Sequence, residues 1–423
     1  MENIADERRR RMDSAGISRR GLRAERAEML ARILSSRDLR VTFGTPWRDP
    51  QWCILWLSIK SIKEAKMKVL ALNSSMRGDG QSRTELLLTH LVKGMREQGA
   101  EVELVNLREK KIGYCLGCFT CSTKTPGVCA LKDDMSQELY PKWLASDLCI
   151  YGTPLFHWTV NAPMKVFIER TWPHMEPFFI QLPDGRWFHP ERLKQPDAVM
   201  LSVAGFAEDW IFDELSHYAH FLFGRTDKLI AEIYRPGAMA MTQMAPDKLQ
   251  DILDATEQAG RELVASRQIA PETLARIRQP IAEPATIAEM ANMFWKSCID
   301  EGIIPKTFEK RAMSPRPQTI ADYLAFMRAG FNPANANSVK AILQFNFTGQ
   351  AEGTCFLTID HGRIETTTEN GKPPDVIITA PFERWMDVIG GKVPGMQAFM
   401  DGSCRASGDF ALLTRMDHWF GRN

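Results

Sequence analysis

The chain has no long hydrophobic run: across its 423 residues no uncharged apolar stretch approaches the ~18–20 residues that a bilayer crossing requires. The patch Trp52–Ile59 (WCILWLSI) is too short, and it does not stand at the N-terminus as a secretory signal would. Net charge is equally scarce. With 53 basic and 52 acidic residues the formal balance is +1, so no global field draws the chain to nucleic acid or to an anionic membrane. Cysteine is sparse and odd in number, nine in all. Without a secretory signal, that argues for a reducing cytoplasm and against a disulfide scaffold. No nicotinamide-specific motif and no general acid or base stands out. What is present is an ordinary globular composition, 44% hydrophobic and 25% charged, at a length that suggests two to three domains.

The first 66 residues differ from the rest. Their opening 40 are rich in arginine (ERRRRMDS, SRRGLRAERAEMLARILSSRDLR). Two readings are open: a basic arm with one helix near Arg23–Leu34, or an extension upstream of a natural start at Met67. From Met67 onward, short apolar runs alternate with helical periodicity. Strands are expected at 68–73, 101–107, 147–154, 197–205 and 228–237, and helices at 83–100, 135–145, 162–172, 213–223 and 246–266. Such alternation predicts a doubly wound α/β sheet. A helical tail and linker fill about 270–315 and end in AMSPRPQT. Beyond it, VKAILQFNFTG and GTCFLTIDHGRIETTTENG read as antiparallel strands, and PDVIITAPFERWMDVIGG as a strand and a helix. The expected organisation is therefore an extension at 1–66, an α/β domain at 67–312 and a separate α+β unit at 313–423.

In an open parallel sheet, ligands bind beyond the carboxyl ends of the strands. The loop after the first strand, NSSMRGDGQSRT (Asn73–Thr84), is rich in Ser, Gly and Thr and runs into a helix N-terminus. Backbone N–H groups and the helix dipole favour an anion there, and the Ser74, Ser75 and Ser82 hydroxyls add donors. It matches neither GxxxxGK[ST] nor GxGxxG. A plain turn with Ser82 as helix cap is the bland alternative. The loop after the third strand, GTPLFHWTVNAP (Gly152–Pro163), offers apolar and aromatic side chains to a flat ring, unless Phe156 and Trp158 are simply core. The segment AGFAED (Ala204–Asp209) would complete the pocket.

Taken together, NSSMRGDGQSR, GTPLFHWTVNAPMKVFIER and AGFAE resemble the flavodoxin-like NADPH-dependent FMN reductases over about 67–310. That resemblance implies a flavodoxin-like fold, FMN as cofactor, NAD(P)H as co-substrate and a homodimer or higher assembly. It implies that Ser75, Arg77, Gln81 and Ser82, beside Ser74, cradle the FMN phosphate. Thr153, Pro154, Leu155, Phe156, His157 and Trp158 would border the isoalloxazine, with Ala204 and Gly205 completing the pocket. Met76 and Ser82 depart mildly from the Pro and Thr usual in the family.

Four cysteines, Cys115, Cys118, Cys121 and Cys129, share one loop with the spacing C-x2-C-x2-C-x7-C. Zinc sites more often use two separated pairs. Three thiols at successive intervals of three are closer to the ferredoxin run, although Ala130 stands where that run has Pro. The loop follows the second strand and so leaves the same sheet edge as the phosphate loop. With DDM (Asp133–Met135) it resembles the iron–sulfur flavoproteins, which implies a [4Fe–4S] cluster beside FMN, and also relatives that keep the cysteines with no established cluster. Cluster, free redox or structural thiols, and zinc all remain open. The remaining cysteines are scattered, and Cys149 reads as a small core residue.

From about 318, ILQFNFTG, GTCFLTIDHGRI, PDVIITAPFERWMDVIGGK and FMDGSCRASGDFALLTRM resemble the sterol carrier protein 2 (SCP2) family. This implies an α+β fold with an apolar tunnel for lipid-like ligands. Asp375, Glu383 and Asp409 read as turn and capping residues. Three whole-chain readings follow: an FMN-dependent NAD(P)H oxidoreductase serving a small, lipid-like acceptor; an electron-transfer protein with flavin and cluster; or a lipid carrier with a cofactor-free scaffold.

Overall fold

The computed structural model describes residues 66–420, apart from 79, 243–245, 312, 370 and 371. The arginine-rich extension and its expected helix near Arg23–Leu34 lie outside the described residues. Lys66–Asn423 is one compact unit holding two five-stranded sheets and a two-stranded hairpin.

The first sheet uses β1 (Lys68–Asn73), β2 (Glu101–Asn106), β3 (Leu148–Pro154), β6 (Asp197–Val203) and β7 (Leu229–Arg235), in the order β2-β1-β3-β6-β7. Every pairing is parallel. This is the flavodoxin-type order, and its switch point falls between β1 and β3. The central strands are largely apolar and buried along nearly their whole length (KVLALN, LCIYGTP, DAVMLSV) because helices cover both faces. On one face lie α1 (Arg83–Glu97) and α5 (Pro246–Ser266), whose leucines and alanines share a core with Val69, Ile150 and Leu201. On the other lie α2 (Tyr140–Ala145), α3 (Ala162–Glu169) and α4 (Asp213–Leu222), around Trp143, Phe167 and Tyr151. The expected first helical turns at 135–139 form a π-helical turn rather than α-helix. A short hairpin, β4 (Ile180–Gln181) with β5 (Trp187–Phe188), interrupts the path from α3 to β6. The alternation of apolar runs did not announce it.

Helices α1 and α5 cross very closely. A Cβ on Gly94 would lie 1.9 Å from the Glu257 carbonyl oxygen, and one on Gly260 would lie 2.1 Å from that of Leu91. Only glycine permits that approach. Above the crossing, Lys93 and His90 both reach a Glu257 carboxylate oxygen at 2.7 Å. Burial works against that carboxylate's charge, but the two hydrogen bonds hold its pKa below the usual range.

The helical tail is α6 (Pro271–Arg278), α7 (Pro284–Asp300) and α8 (Pro305–Lys310). The second sheet then follows a helix missed in the sequence, α9 (Ile320–Gly330). Its start carries a capping box, with Thr319 and Asp322 each accepting from the other's backbone N–H. Strands β8 (Lys340–Thr348), β9 (Gly353–Asp360) and β10 (Arg363–Thr367) form an antiparallel meander, as expected. Strand β11 (Val376–Pro381) joins β8 in parallel and β12 (Arg405–Gly408) in antiparallel fashion. Tyr323, Phe345, Phe347, Phe382 and Trp385 pack ring against ring between α9, α10 (Phe382–Ile389) and the sheet, with centroids 5.1–5.8 Å apart. These rings form much of the core of the C-terminal half.

The two sheets are tied through the tail. Arg316 donates to Asp387 at 2.7 Å and to the Glu383 carbonyl at 3.0 Å, and Arg328 reaches Glu289 on α7 at 3.0 Å.

Candidate functional site

The loops after β1 and β3 meet because their strands are neighbours, with Asn73 opposite Gly152. The peptide joining Ser74 to Ser75 is held from both sides. Its carbonyl accepts from Asn161 Nδ2 at 2.7 Å, and its N–H donates to Asn73 Oδ1 at 3.1 Å. The Ser74 hydroxyl donates to the Gly152 carbonyl at 3.1 Å and is fully buried, so it braces the sheet edge and does not face a ligand. Arg108, just past β2, donates to the carbonyls of Ser75 and Arg77, each at 3.4 Å, and to Glu85. Gln81 N–H donates to the Gly78 carbonyl, and Gly80 adopts a left-handed φ of +74°. The Ser75, Arg77 and Gln81 N–H groups also donate within the protein, so what the loop offers an anion is the start of α1 with the Arg77 and Gln81 side chains beside it. Ser82 is the N-cap of α1, accepting from Glu85 N–H at 3.0 Å, while Gln81 is half-buried and Arg77 exposed. The bland reading of Ser82 as a cap and the anion-site reading of the loop are therefore compatible.

The β3 loop makes a tight hairpin turn. Phe156 and Thr159 exchange two backbone hydrogen bonds of 3.1 Å, and the residues between them, His157 and Trp158, have φ of 46° and 63°. Two central residues at positive φ define a type I′ turn, which ordinarily takes Asn-Gly or Gly-Gly. Here it carries two aromatic rings, 5.9 Å apart and edge to face. Phe156 and Trp158 are 57% and 48% exposed, so neither is core. Thr153 is buried, and its Oγ1 accepts from Asn161 N–H at 3.1 Å, whereas Pro154 and Leu155 are half-buried. On the next strand Ala204 is buried, Gly205 is exposed, and Phe206 is 61% exposed. Large apolar side chains (Met76, Phe156, Trp158, Phe206) thus crown three successive strand ends beside the loop that enters α1. This donor set and open apolar rim fit a flavin mononucleotide: phosphate at one end, planar ring at the other.

Residues 67–179 match the sequence model of the NADPH-dependent FMN reductase family, and residues 327–420 that of the SCP-2 sterol transfer family. An iron–sulfur flavoprotein of Archaeoglobus fulgidus is 38% identical over 108 residues, 26% of this chain and 47% of that protein. FMN-dependent NADH:quinone oxidoreductase 2 of Pseudomonas aeruginosa is 28% identical over 111 residues, 25% of this chain and 54% of that protein. The chain thus spans about half the length of these curated relatives. Among solved structures, an FMN-dependent NADH-azoreductase from Bacillus anthracis in complex with FMN is 16% identical, with a TM-score of 0.35, over 47% of this chain and 99% of that one.

Within residues 67–179 the cysteine loop departs from a metal-site expectation. Cys115 and Cys118 are exposed, while Cys121 and Cys129 are half-buried. Among the described residues no three Cys, His, Asp or Glu side chains gather as a metal-ligand set. As placed, the four thiols fit neither a [4Fe–4S] cube nor a tetrahedral zinc. The reason is visible in the loop's own bonding. It coils on itself through Ser122 and Thr123 N–H to the Phe119 carbonyl and Gly127 N–H to that of Cys121, and Cys129 Sγ already accepts from Arg170 Nη2 at 3.5 Å. Hydrogen bonds from the Thr120 side chain and backbone draw the Cys118 thiol pKa down, whereas burial and nearby Cys129 push that of Cys121 up.

Arg170, at the end of α3, is 2% exposed and clasps the loop's stem. It donates to the Gly113 carbonyl at 2.6 Å and to both Asp133 oxygens at 2.7 and 3.0 Å. Burial works to raise the Asp133 pKa, but bonds from Arg170 and from the Gly113 and Ser136 N–H groups hold it at about 2.

Sequence reasoning missed Asn161, Asn73, Arg108 and Arg170. Asn161 had a local signal: Asn followed by Ala-Pro is a helix start, and it does cap α3.

Proposed function

We propose that the chain is an FMN-dependent NAD(P)H oxidoreductase. The observation that carries this reading is the junction of the Ser-rich loop entering α1, braced by Asn73, Asn161 and Arg108, with an exposed aromatic turn at the switch point of a parallel sheet. The family match over 67–179 supports it. Ser75, Arg77, Gln81 and Ser82 would hold the phosphate, and Thr153 to Trp158 with Gly205 would border the ring. Bound FMN would accept a hydride from the nicotinamide and release electrons to an acceptor. The chain's own task is to fix the ring's orientation and to keep its apolar edge open. A small acceptor of apolar, lipid-like character, delivered with the help of the SCP2 segment, completes the reading, as does a homodimeric or higher assembly. Titration of the flavin-free chain with FMN, followed by NADH and NADPH oxidation with and without a quinone, tests it. Saturable FMN quenching and quinone-stimulated oxidation are expected. A chain that takes up no FMN sinks the proposal.

A second reading, electron relay through an iron–sulfur cluster, is favoured by the four-cysteine spacing and by the printed name of the Archaeoglobus relative. It requires the loop to regroup its thiols. Iron and sulfide analysis of anaerobically purified protein decides it, since iron below stoichiometry removes the cluster.

A further inference from the structure

The buried amides at the sheet edge form one connected chain. Asn161 Nδ2 donates to the Ser74 carbonyl at 2.7 Å, and the N–H on the other side of that peptide donates to Asn73 Oδ1 at 3.1 Å. Asn73 Nδ2 donates to Asn106 Oδ1 at 2.9 Å, and Asn106 Nδ2 to Glu109 Oε1 at 2.9 Å. Asn161, Ser74 and Asn73 are at most 2% exposed. Asn161 also joins Thr153 twice: its side-chain Oδ1 accepts from the Thr153 hydroxyl at 3.4 Å, and its backbone N–H donates to that hydroxyl oxygen at 3.1 Å. One side chain therefore touches both the loop assigned to the phosphate and the loop assigned to the ring.

We propose that Asn161 is a positioning residue that couples these loops, so that seating a flavin ring against residues 153–158 orders residues 74–82 for the phosphate. The inference rests on the FMN reading above and goes beyond it, because it assigns the cooperativity to one side chain with no place in the ligand-contacting set. A buried amide whose partners are all satisfied can stand in only one orientation, since a turned carbonyl would leave the Ser74 oxygen unpaired. Movement of the β3 loop thus pulls on the Ser74–Ser75 peptide. Met164 N–H, at 3.4 Å from Asn161 Oδ1, adds the cap of α3 to the same residue.

Riboflavin is the probe, because it has the ring and lacks the phosphate. In the full wild-type chain, hydrogen exchange of residues 74–82 should slow on riboflavin binding, although riboflavin has nothing to place there. Asn161→Ser keeps an oxygen for the helix cap but is too short to reach Ser74. This variant should abolish the transmitted protection. It should also weaken FMN binding by about tenfold, and riboflavin binding by roughly twofold at most, the size of one lost buried hydrogen bond felt by the phosphate half alone. A general loss of structure would weaken both flavins by the same factor, and that result overturns the proposal. So does protection by riboflavin confined to residues 153–160 in the wild type, a measurement that needs no variant to fold. If the wild type binds neither flavin, the FMN reading falls and takes this inference with it. If it binds both and their affinity ratio is unchanged in the variant, this inference alone falls.

Discussion

His157 and Trp158 hold positive φ angles that favour glycine and asparagine. Each such residue costs on the order of 1–3 kcal/mol when it is not glycine. A turn that kept only its shape would have been better served by Asn-Gly. The expected outcome is a trade: His157→Asn combined with Trp158→Gly should raise the melting temperature of the flavin-free chain by several degrees and weaken FMN binding roughly tenfold as ring contacts are lost. Calorimetry and fluorescence titration on one preparation check both halves. Asp133 supplies a second residue-scale test. Its folded pKa, about 2, lies below the ~3.9 of an unfolded aspartate. Its contribution is therefore complete above pH ~4 and is lost as pH falls through about 2. Asp133→Asn should destabilise the chain by ~2–3 kcal/mol at pH 7, since it also strands the buried Arg170 charge. The gap between variant and wild type should narrow as urea midpoints are measured from pH 4 down to 2.

The close α1–α5 crossing exists because two glycines face backbone rather than side chain. Gly260→Ala would set a methyl 2.1 Å from the Leu91 carbonyl oxygen and 2.9 Å from Met95 N, and neither can rotate away. A loss of about 3 kcal/mol is expected, seen as a lower denaturant midpoint. Gly330, the last residue of α9, meets nothing within 4 Å. Gly330→Ala should leave stability unchanged or raise it by ~0.5–1 kcal/mol. Opposite signs from the same chemical change would show that the α5 glycine is there for contact and the α9 glycine is not. The cysteine loop obeys the same logic at this scale. Its spacing is that of a ligand run, yet Arg170 and the loop's own turns decide where the sulfurs stand.

At the scale of the whole molecule, the two sheets are linked by a tail whose polar ties are few and specific. Arg316 bridges from the linker to α10 through Asp387 and the Glu383 carbonyl, and its own N–H donates to Ser297 on α7. Arg316→Ala should cost the C-terminal half ~1 kcal/mol and separate calorimetric unfolding into two resolved transitions, with FMN affinity unchanged. Retention of a single transition would mean that apolar packing of the tail, rather than these bonds, joins the halves.

The parallel sheet, its helices, the Ser- and Gly-rich loop and the meander near the C-terminus were legible in the sequence because each is written in local periodicity or turn chemistry. Apolar runs such as KVLALN need a buried strand wherever they fall, and NSSMRGDGQSRT makes a loop before a helix in almost any context. Even α9 carried a local mark, its Thr319–Asp322 box. Other features depend on which segments become neighbours only after the chain has folded. Asn161 is one helix cap among several until β3 lies beside β1, and Arg170 is an ordinary arginine until it closes over Gly113 and Asp133. Phe156 and Trp158 could equally be core aromatics until the turn that Phe156 and Thr159 close leaves both exposed. Four cysteines within fifteen residues suggest a metal, and only the folded loop, with its own turns and with Arg170 on Cys129, decided that they gather as no ligand set among the described residues, because a ligand set is a matter of positions in space and spacing along a chain does not fix them.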